Sequence, residues 1–366
     1  MGRTRLAPRS REAMLSVRDM IGELSQMVVE CAETEQELLE GQRMLGRAMA
    51  LASELTLDCE PHSPWFMTMN TPSRFVGGGS PDIDYRVATI DGSRAYRIDG
   101  VRGSSPYLSF QILAGQGVEP RRMAAYLSDA DLAVQADRSF SFLLGPKETK
   151  PAETGHQPFI EVPRDVSAVL VRDYLADREV DVVSSLDITA VGPAGSPAAI
   201  EDHALAEQFT TMAWMIARLA TMFKTVQPEL LQMPNQLVAA SSSDLGAGES
   251  TPDNHYLMAM FRLRPGEALV VEFEAPTDAY WSVSLENIWH ECVEPRQRHS
   301  SVTYAKARAS AEGRVQLVVT DGASEHPNWL DTGGHARGFI NVRSLINPIS
   351  FGANARVVPA RTLRVH

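Results

Sequence analysis

The spacing of apolar residues alternates between helical and strand-like along this chain, and this alternation constrains the fold most. Residues 10–57 contain no proline and repeat apolar side chains every three or four positions, as amphipathic helices do. Thr34 and Glu37 fit a helix-capping box, so we expect two helices that meet near Glu33. This helical hairpin is predicted to cover either a sheet of the same chain or a second copy of it.

From about residue 82 the apolar period becomes two, which indicates half-buried strands. Asp91-Gly92 stands between two such runs and predicts a β-hairpin, because this pair favours the turn that joins paired strands. The runs themselves are Tyr85–Ile90, Arg94–Ile98, Tyr107–Leu113, Phe140–Leu144 and Val166–Tyr174. Their proline- and glycine-containing connections are typical of an antiparallel sandwich.

Helical spacing returns between residues 198 and 226, and Pro228 limits its continuation. A serine- and glycine-rich stretch over residues 239–252 then predicts a mobile loop or lid. A second group of strand-like runs follows at Tyr256–Leu263, Ala268–Phe273, Tyr280–Ile288 and Arg314–Thr320. Short strands with tight turns again favour an antiparallel sandwich or jelly roll.

The predicted fold class is therefore α+β, mainly β with helices. The 366 residues suit two packed units better than one compact core. We expect two antiparallel β-sandwich or jelly-roll-like units, an N-terminal helical hairpin and a long helix between the β units. The predicted divisions are a helical segment at 1–60, a first sandwich at 80–195, a connecting helix at 198–235 and a second sandwich at 250–366.

Composition excludes several classes of function. The chain has 34 basic and 46 acidic residues and a formal charge of −12, the wrong sign for binding nucleic acid. The longest apolar-rich stretch, near residues 212–223, is interrupted by Arg218 and is too short to span a membrane. Three cysteines in an unpaired pattern and the lack of an export signal favour a cytoplasmic location.

Standard catalytic motifs are missing from the sequence. It contains no GxxxxGK[ST] phosphate loop, no GxGxxG between a strand and a helix, and no GxSxG nucleophile elbow. His290-Glu291 begins a zinc-protease HExxH motif, but Glu294 stands at the second histidine position. We therefore expect neither a metal nor a cofactor, and no P-loop, Rossmann or ordinary α/β-hydrolase enzyme.

Candidate ligand-binding residues lie between Tyr280 and Arg298. Alternation along Tyr280–His290 would place Asn287 and Trp289 on the same sheet face as Trp281. A buried Asn287 is either a satisfied core or strand-end amide or one that faces a ligand. Arg296 and Arg298 could bind a carboxylate, sulfate or phosphate through their guanidinium groups, or form a solvated rim.

The segment Asn328-Trp329-Leu-Asp331-Thr-Gly-Gly-His335 combines an aromatic ring, an acid and a histidine with turn glycines, as pocket-lining loops often do. Asp331 and His335 could form an acid–imidazole pair for general acid–base catalysis. The alternative is structural, with Asp331 capping the turn through backbone amides. Trp329 and Arg343 are further candidates for binding a ligand.

Several of these segments resemble the bacterial family called domain of unknown function 1214, which often occurs with family 1254. The resemblance depends on Tyr85-Arg86-Val-Ala-Thr-Ile-Asp-Gly, Pro265-Gly-Glu-Ala-Leu-Val-Val, Tyr280-Trp-Ser-Val and, above all, Asn328-Trp-Leu-Asp. It covers residues 80 to 360 and implies tandem β-sandwich units with inserted helices, but no established reaction. Tyr85 and Arg86 join the candidate ligand-binding residues.

Two classes of function remain open at this point. One is an enzyme of hydrolase or lyase type that acts on a small, partly lipophilic, anionic molecule, with arginines orienting the substrate and Asp331 or His335 moving a proton. The other is a non-catalytic β-sandwich that binds a small molecule or has a structural role. The N-terminal helices could also join two copies of the chain.

Overall fold

The computed structural model describes residues 8–71, 73–115, 121–151, 157–192, 199–225, 228–241, 250–276, 278–349 and 353–363. Within these ranges the chain forms three α-helices, α1 Arg9–Cys31, α2 Glu35–Thr56 and α3 Asp202–Thr225. The remaining elements are mostly antiparallel strands in four sheets, and the predicted α+β fold class is confirmed. The central part of the predicted loop or lid, residues 242–249, lies outside the described residues.

The first β unit is a sandwich of two sheets. Its strands are β1 Met67–Thr68, β2 Ile83–Thr89, β3 Tyr96–Val101, β4 Tyr107–Ala114, β5 Arg122–Ser128, β6 Ser139–Gly145, β7 Phe159–Glu161, β8 Val166–Tyr174 and β9 Ser185–Ala190. One sheet has the order β1-β2-β8-β4-β5 and the other the order β7-β6-β3-β9. Phe110, Phe142 and Ile98 lie in the core between the two sheets.

The second β unit is also a sandwich. Its strands are β10 Val238–Ser241, β11 Asn254–Arg262, β12 Glu267–Glu274, β13 Trp281–Glu286, β14 Ser301–Thr303, β15 Arg314–Thr320, β16 Trp329–Asp331, β17 Arg337–Leu345 and β18 Asn354–Pro359. The sheets have the orders β10-β11-β17-β13-β14 and β16-β15-β12-β18. Trp281, Val283 and Leu285 of β13 point into the core between them.

The three helices form a layer on the outer face of the β10-β11-β17-β13-β14 sheet. Val28 of α1, Leu45 of α2 and Ile216 of α3 share one buried apolar cluster with Met260 and Phe339 of that sheet. The predicted helical hairpin is present, with Thr34 as the cap that accepts a hydrogen bond from the Glu37 amide. The apolar stripe of the hairpin therefore finds its partner in the same chain.

Two local predictions are wrong. Asp91-Gly92 does not close a hairpin, because β2 pairs with β1 and β8 whereas β3 pairs with β6 and β9 in the opposite sheet. The dipeptide instead turns the chain from one sheet to the other. Alternation in β13 also ends at Glu286, so Trp289 packs with the helices and not with Trp281.

Gly41 and Gly46 of α2 provide a matched pair for testing how closely the helices pack. A Cβ at Gly41 would overlap Val28 Cγ1 and lie 2.8 Å from Trp289 Cε2, whereas one at Gly46 meets nothing within 4 Å. We expect Gly41→Ala to destabilise the fold by about 1–3 kcal/mol through overpacking. Gly46→Ala should stabilise it by about 0.5–1 kcal/mol. Chemical denaturation measures both, and equal effects of the same sign would contradict the close contact.

Candidate functional site

A cavity of about 250 Å³ lies where the first sandwich, the helices and the second sandwich meet. The outer face of the first sandwich contributes Tyr85 and Val87 of β2 and Leu170 and Arg172 of β8. The helices contribute mainly apolar side chains, namely Leu51, Leu55, Trp214, Met215, Leu219 and Met222. A volume of this size and largely apolar walls suit a small, partly lipophilic molecule.

The polar side of the cavity comes from the second sandwich. Successive side chains of a strand point to opposite faces, so Asn341 and Arg343 of β17 point out of the core that holds Ile340 and Val342. Both line the cavity, as do Asn254 and Tyr256 on the neighbouring strand β11. The antiparallel pairing of β13 with β17 sets Ser284 opposite Asn341. The sheet thus collects polar groups that are distant in sequence.

Glu286, the last residue of β13, lies at the centre of this polar group and is fully buried. Its Oε1 accepts hydrogen bonds from Asn341 Nδ2 at 2.6 Å and Arg343 Nη2 at 3.3 Å, and its Oε2 lies 2.7 Å from His290 Nδ1. Burial raises the pKa of this carboxyl, but the contacts with His290, Arg343 and Asn341 outweigh it and lower the pKa. Glu286 is therefore a buried carboxylate held by three side chains.

His290 is 2% exposed and lines the cavity. A carboxylate can only accept, so Glu286 selects the tautomer of the neutral ring with its proton on Nδ1 and a lone pair on Nε2. Stacking on Phe339, with ring centroids 4.2 Å apart, fixes the plane of the ring. His290 Nε2 is buried and has no hydrogen-bond partner among the residues that the structure describes. This is the arrangement of a histidine base oriented by a carboxylate.

The turn after β13 places the His290 ring against the sheet. Asn287 Oδ1 accepts from the backbone amides of Trp289 at 3.0 Å and Glu291 at 3.1 Å, and His290 has a positive φ of 56°. Helix α2 holds this turn from outside, because Arg47 pairs with Glu291 at 2.7 Å and Trp289 Nε1 donates to the Glu37 carbonyl. Asn287 and Trp289 therefore support the site without lining the cavity.

The predicted pair of Asp331 and His335 is not formed. Asp331 accepts from Arg298 at 2.9 Å and from the amides of Gly322 and Gly333, as the structural alternative expected. His335 Nε2 contacts Glu40 at 2.8 Å and its Nδ1 contacts the Thr332 carbonyl at 2.6 Å. Both ring nitrogens of His335 are therefore occupied. The acid–imidazole pair beside the cavity is instead Glu286 with His290, and the His290 side lines the cavity.

The other predicted site residues divide between the cavity and the surface. Tyr85 and Arg343 line the cavity. Arg86 lies on the opposite face of β2 and binds Asp84 and the Ser184 carbonyl. Arg296 and Arg298 are exposed, and Trp329 packs beside His299, so these three are not brought together with Arg343.

Sequence reasoning missed Glu286 and Asn341 and dismissed His290 with the incomplete HExxH motif. The available signal was a carboxylate that ends an apolar strand four residues before a histidine. Nowhere in the described part of the chain do three His, Cys, Asp or Glu side chains lie close enough to hold a metal ion. Nor does any helix within the described ranges combine the length and apolarity needed to cross a membrane.

The stability of the fold is expected to depend on pH through the contact between Glu40 of α2 and His335 in the turn before β17. Burial lowers the pKa of His335, but the hydrogen bond and charge of Glu40 outweigh it and raise the pKa. A raised pKa means that the stabilisation is complete below the unfolded value of about 6.5 and is lost as the pH rises through the folded value. We therefore expect the wild type to exceed His335→Gln in free energy of unfolding by more at pH 6 than at pH 9.

Chemical denaturation at both pH values measures this difference. His203→Gln is the matched control, because that ring is exposed on α3 and its replacement should alter stability little at either pH. A pH-independent gap between the wild type and His335→Gln would contradict the expectation.

Comparison with known proteins finds relatives only among solved structures. No family model matches the chain, and no curated protein matches it. A protein from Vibrio parahaemolyticus has a TM-score of 0.50 at 10% identity, covering 86% of this chain and 97% of that one, which shows the fold alone. The chain is also similar, at 25% identity and a TM-score of 0.88 over 96% of its length and 98% of the other chain, to an uncharacterised protein from Burkholderia cenocepacia.

Proposed function

We propose that the chain is an enzyme that performs acid–base chemistry on a small, partly lipophilic, anionic molecule bound in the cavity. The observation that carries this proposal is the buried Glu286–His290 pair, in which His290 lines the cavity and its Nε2 has no hydrogen-bond partner among the described residues. A histidine held in one tautomer by a carboxylate is a general base for a substrate or for water. Hydrolysis and lyase-type proton abstraction both use such a base.

The charges of the cavity support an anionic ligand. Arg121, Arg172, Arg218 and Arg343 all line it, whereas none of its described lining residues is an aspartate or glutamate. Arg343 pairs with Glu286, which is not among the lining residues, so the charged groups on the described wall of the cavity are guanidinium groups. In a site of low dielectric constant this charge favours a carboxylate, sulfate or phosphate group.

Cys292 and Tyr85 are less suited than His290 to a reactive role. Burial raises the pKa of the Cys292 thiol, which donates to the Gly79 carbonyl, so the thiolate needed of a nucleophile is disfavoured. Burial also raises the pKa of Tyr85, whose hydroxyl accepts from the Ser80 amide. Tyr85 is thus a neutral hydrogen-bonding group in the proposed site.

The test is turnover by the purified protein over two panels, mono-p-nitrophenyl esters of small dicarboxylic acids for hydrolysis and hydroxy acids for dehydration. Ala168→Phe should abolish any turnover, because Ala168 lines the cavity and a phenyl group would fill space that a substrate needs. A melting temperature near that of the wild type shows that the variant is folded. Full turnover by folded Ala168→Phe would place the reaction outside this cavity.

Three further proposals concern the kinship, the location and the assembly of the chain. Kinship with domain of unknown function 1214 is supported by the Asn328-Trp-Leu-Asp segment and implies no reaction. A cytoplasmic location and self-association through the N-terminal helices likewise stay predictions.

A further inference from the structure

Two buried acceptor atoms of the cavity point to a feature of its ligand. Asn341 Nδ2 donates to Glu286, so the amide oxygen Oδ1 is the atom left to bind elsewhere. It is buried and has no hydrogen-bond partner within the described ranges of the chain. The same holds for His290 Nε2, which is an acceptor in the neutral tautomer that Glu286 selects. Both residues are 2% exposed and line the cavity.

Buried polar atoms are nearly always paired, because removing them from water without a partner costs free energy. Both acceptors belong to lining residues of the cavity, so a ligand bound there can provide a donor to either of them. A carboxylate, ester or ether oxygen cannot provide a donor, whereas a hydroxyl group can. The two acceptors therefore favour a ligand that has a hydroxyl group in addition to its acidic group.

We infer that the cavity takes a hydroxylated acid, that is, a small amphipathic anion with a hydroxyl group that donates to His290 Nε2 or Asn341 Oδ1. The inference rests on the proposed function, which supplies the anionic and partly lipophilic parts of the molecule. Arg172, stacked over the Tyr85 ring at 5.6 Å, lies on the facing sandwich and suits the acidic group. The apolar part then lies among Leu219, Met222 and the other helical side chains that line the cavity.

In this arrangement Asn341 determines specificity, and His290 both binds and reacts. A hydroxyl that donates to His290 Nε2 occupies the base, whereas a hydroxyl on Asn341 Oδ1 leaves Nε2 to take a proton from another atom of the ligand or from water. A hydroxyl that donates to Asn341 is bound without reacting. A site built to accept from a hydroxyl discriminates strongly against the analogue that lacks one, because its buried acceptors are then unpaired.

The experiment compares binding of matched acids by calorimetry to the wild-type protein. Each series consists of a hydroxy acid, its deoxy analogue and its methyl ether. The first series is 3-phenyllactate, 3-phenylpropionate and 2-methoxy-3-phenylpropionate. The second is mandelate, phenylacetate and α-methoxyphenylacetate. We expect at least one hydroxy acid to bind tenfold or more tightly than its deoxy partner. The methyl ether keeps the oxygen but loses the donor, so its affinity should fall to that of the deoxy acid or below.

Asn341→Leu separates the two acceptors. It should reduce the preference for the hydroxy acid if Asn341 accepts the hydroxyl, and His290→Asn should do so if His290 accepts it. Equal binding of hydroxy and deoxy acids, or tight binding of the methyl ether, would overturn the inference while leaving an anion-binding cavity intact. Failure of every acid to bind would overturn both this inference and the ligand class of the proposed function.

Discussion

His290→Asn is expected to lower turnover by about 10²–10⁴-fold, the usual contribution of a general acid or base, while the protein stays folded. Asparagine tolerates the positive φ of 56° at this position, and its amide can still donate to Glu286. What it lacks is the basic ring nitrogen Nε2. The measurement is kcat and kcat/KM for any substrate found in the panels, with the melting temperature recorded for each variant.

Two further variants sharpen this prediction. Glu286→Gln should also reduce turnover about 10²-fold or more, because the new amide can donate to Nδ1 and stabilise the tautomer with its proton on Nε2. His299→Asn is the matched control, since that ring packs beside Trp329 away from the cavity and its replacement should change turnover less than twofold. Wild-type turnover by folded His290→Asn would remove His290 from the catalytic role and assign the reaction to another group.

Arg337→Met is expected to destabilise the protein by about 3–5 kcal/mol, since it breaks a buried ion pair and leaves one charge behind. Arg337 on β17 binds Glu37 of α2 through two hydrogen bonds of 2.8 Å, and Glu37 is 3% exposed. The same guanidinium donates to Glu33 and to the Cys31 carbonyl. Loss of Arg337 would thus remove the partner of several groups at the junction of α1 and α2.

Arg262→Met provides the matched control for this ion pair. Arg262 lies on the adjacent strand β11 and also pairs with Glu33, but both side chains are about half exposed, at 46% and 50%, so its loss should cost about 0–1 kcal/mol. Adding Glu37→Met to Arg337→Met should restore much of the stability, because the stranded carboxylate is removed. Urea denaturation followed by circular dichroism measures all three, and equal costs for Arg337→Met and Arg262→Met would contradict the buried pair.

The sequence by itself determined where the three helices and half of the described strands lie, but it did not predict β17, which carries Asn341 and Arg343. The predicted strands Val166–Tyr174 and Arg314–Thr320 have the bounds that the structure shows, and the helical spacing of 198–226 contains α3. Apolar periodicity is a property of neighbouring residues, so it is visible without knowledge of the fold. The Thr34 cap was predictable for the same reason, since a cap binds an amide three residues away.

Only the tertiary structure decided which strands pair and which side chains meet. Asp91-Gly92 has the local chemistry of a hairpin turn, but the strands beside it find their partners in opposite sheets. Glu286 meets Asn341 and Arg343 across 55 and 57 residues of sequence, because β13 pairs with β17. Asp331 and His335, four residues apart, bind Arg298 and Glu40 instead of each other. Closeness in sequence does not determine which way two side chains point in a loop. The register of a sheet does determine it, and that register depends on contacts between residues that are distant in the chain.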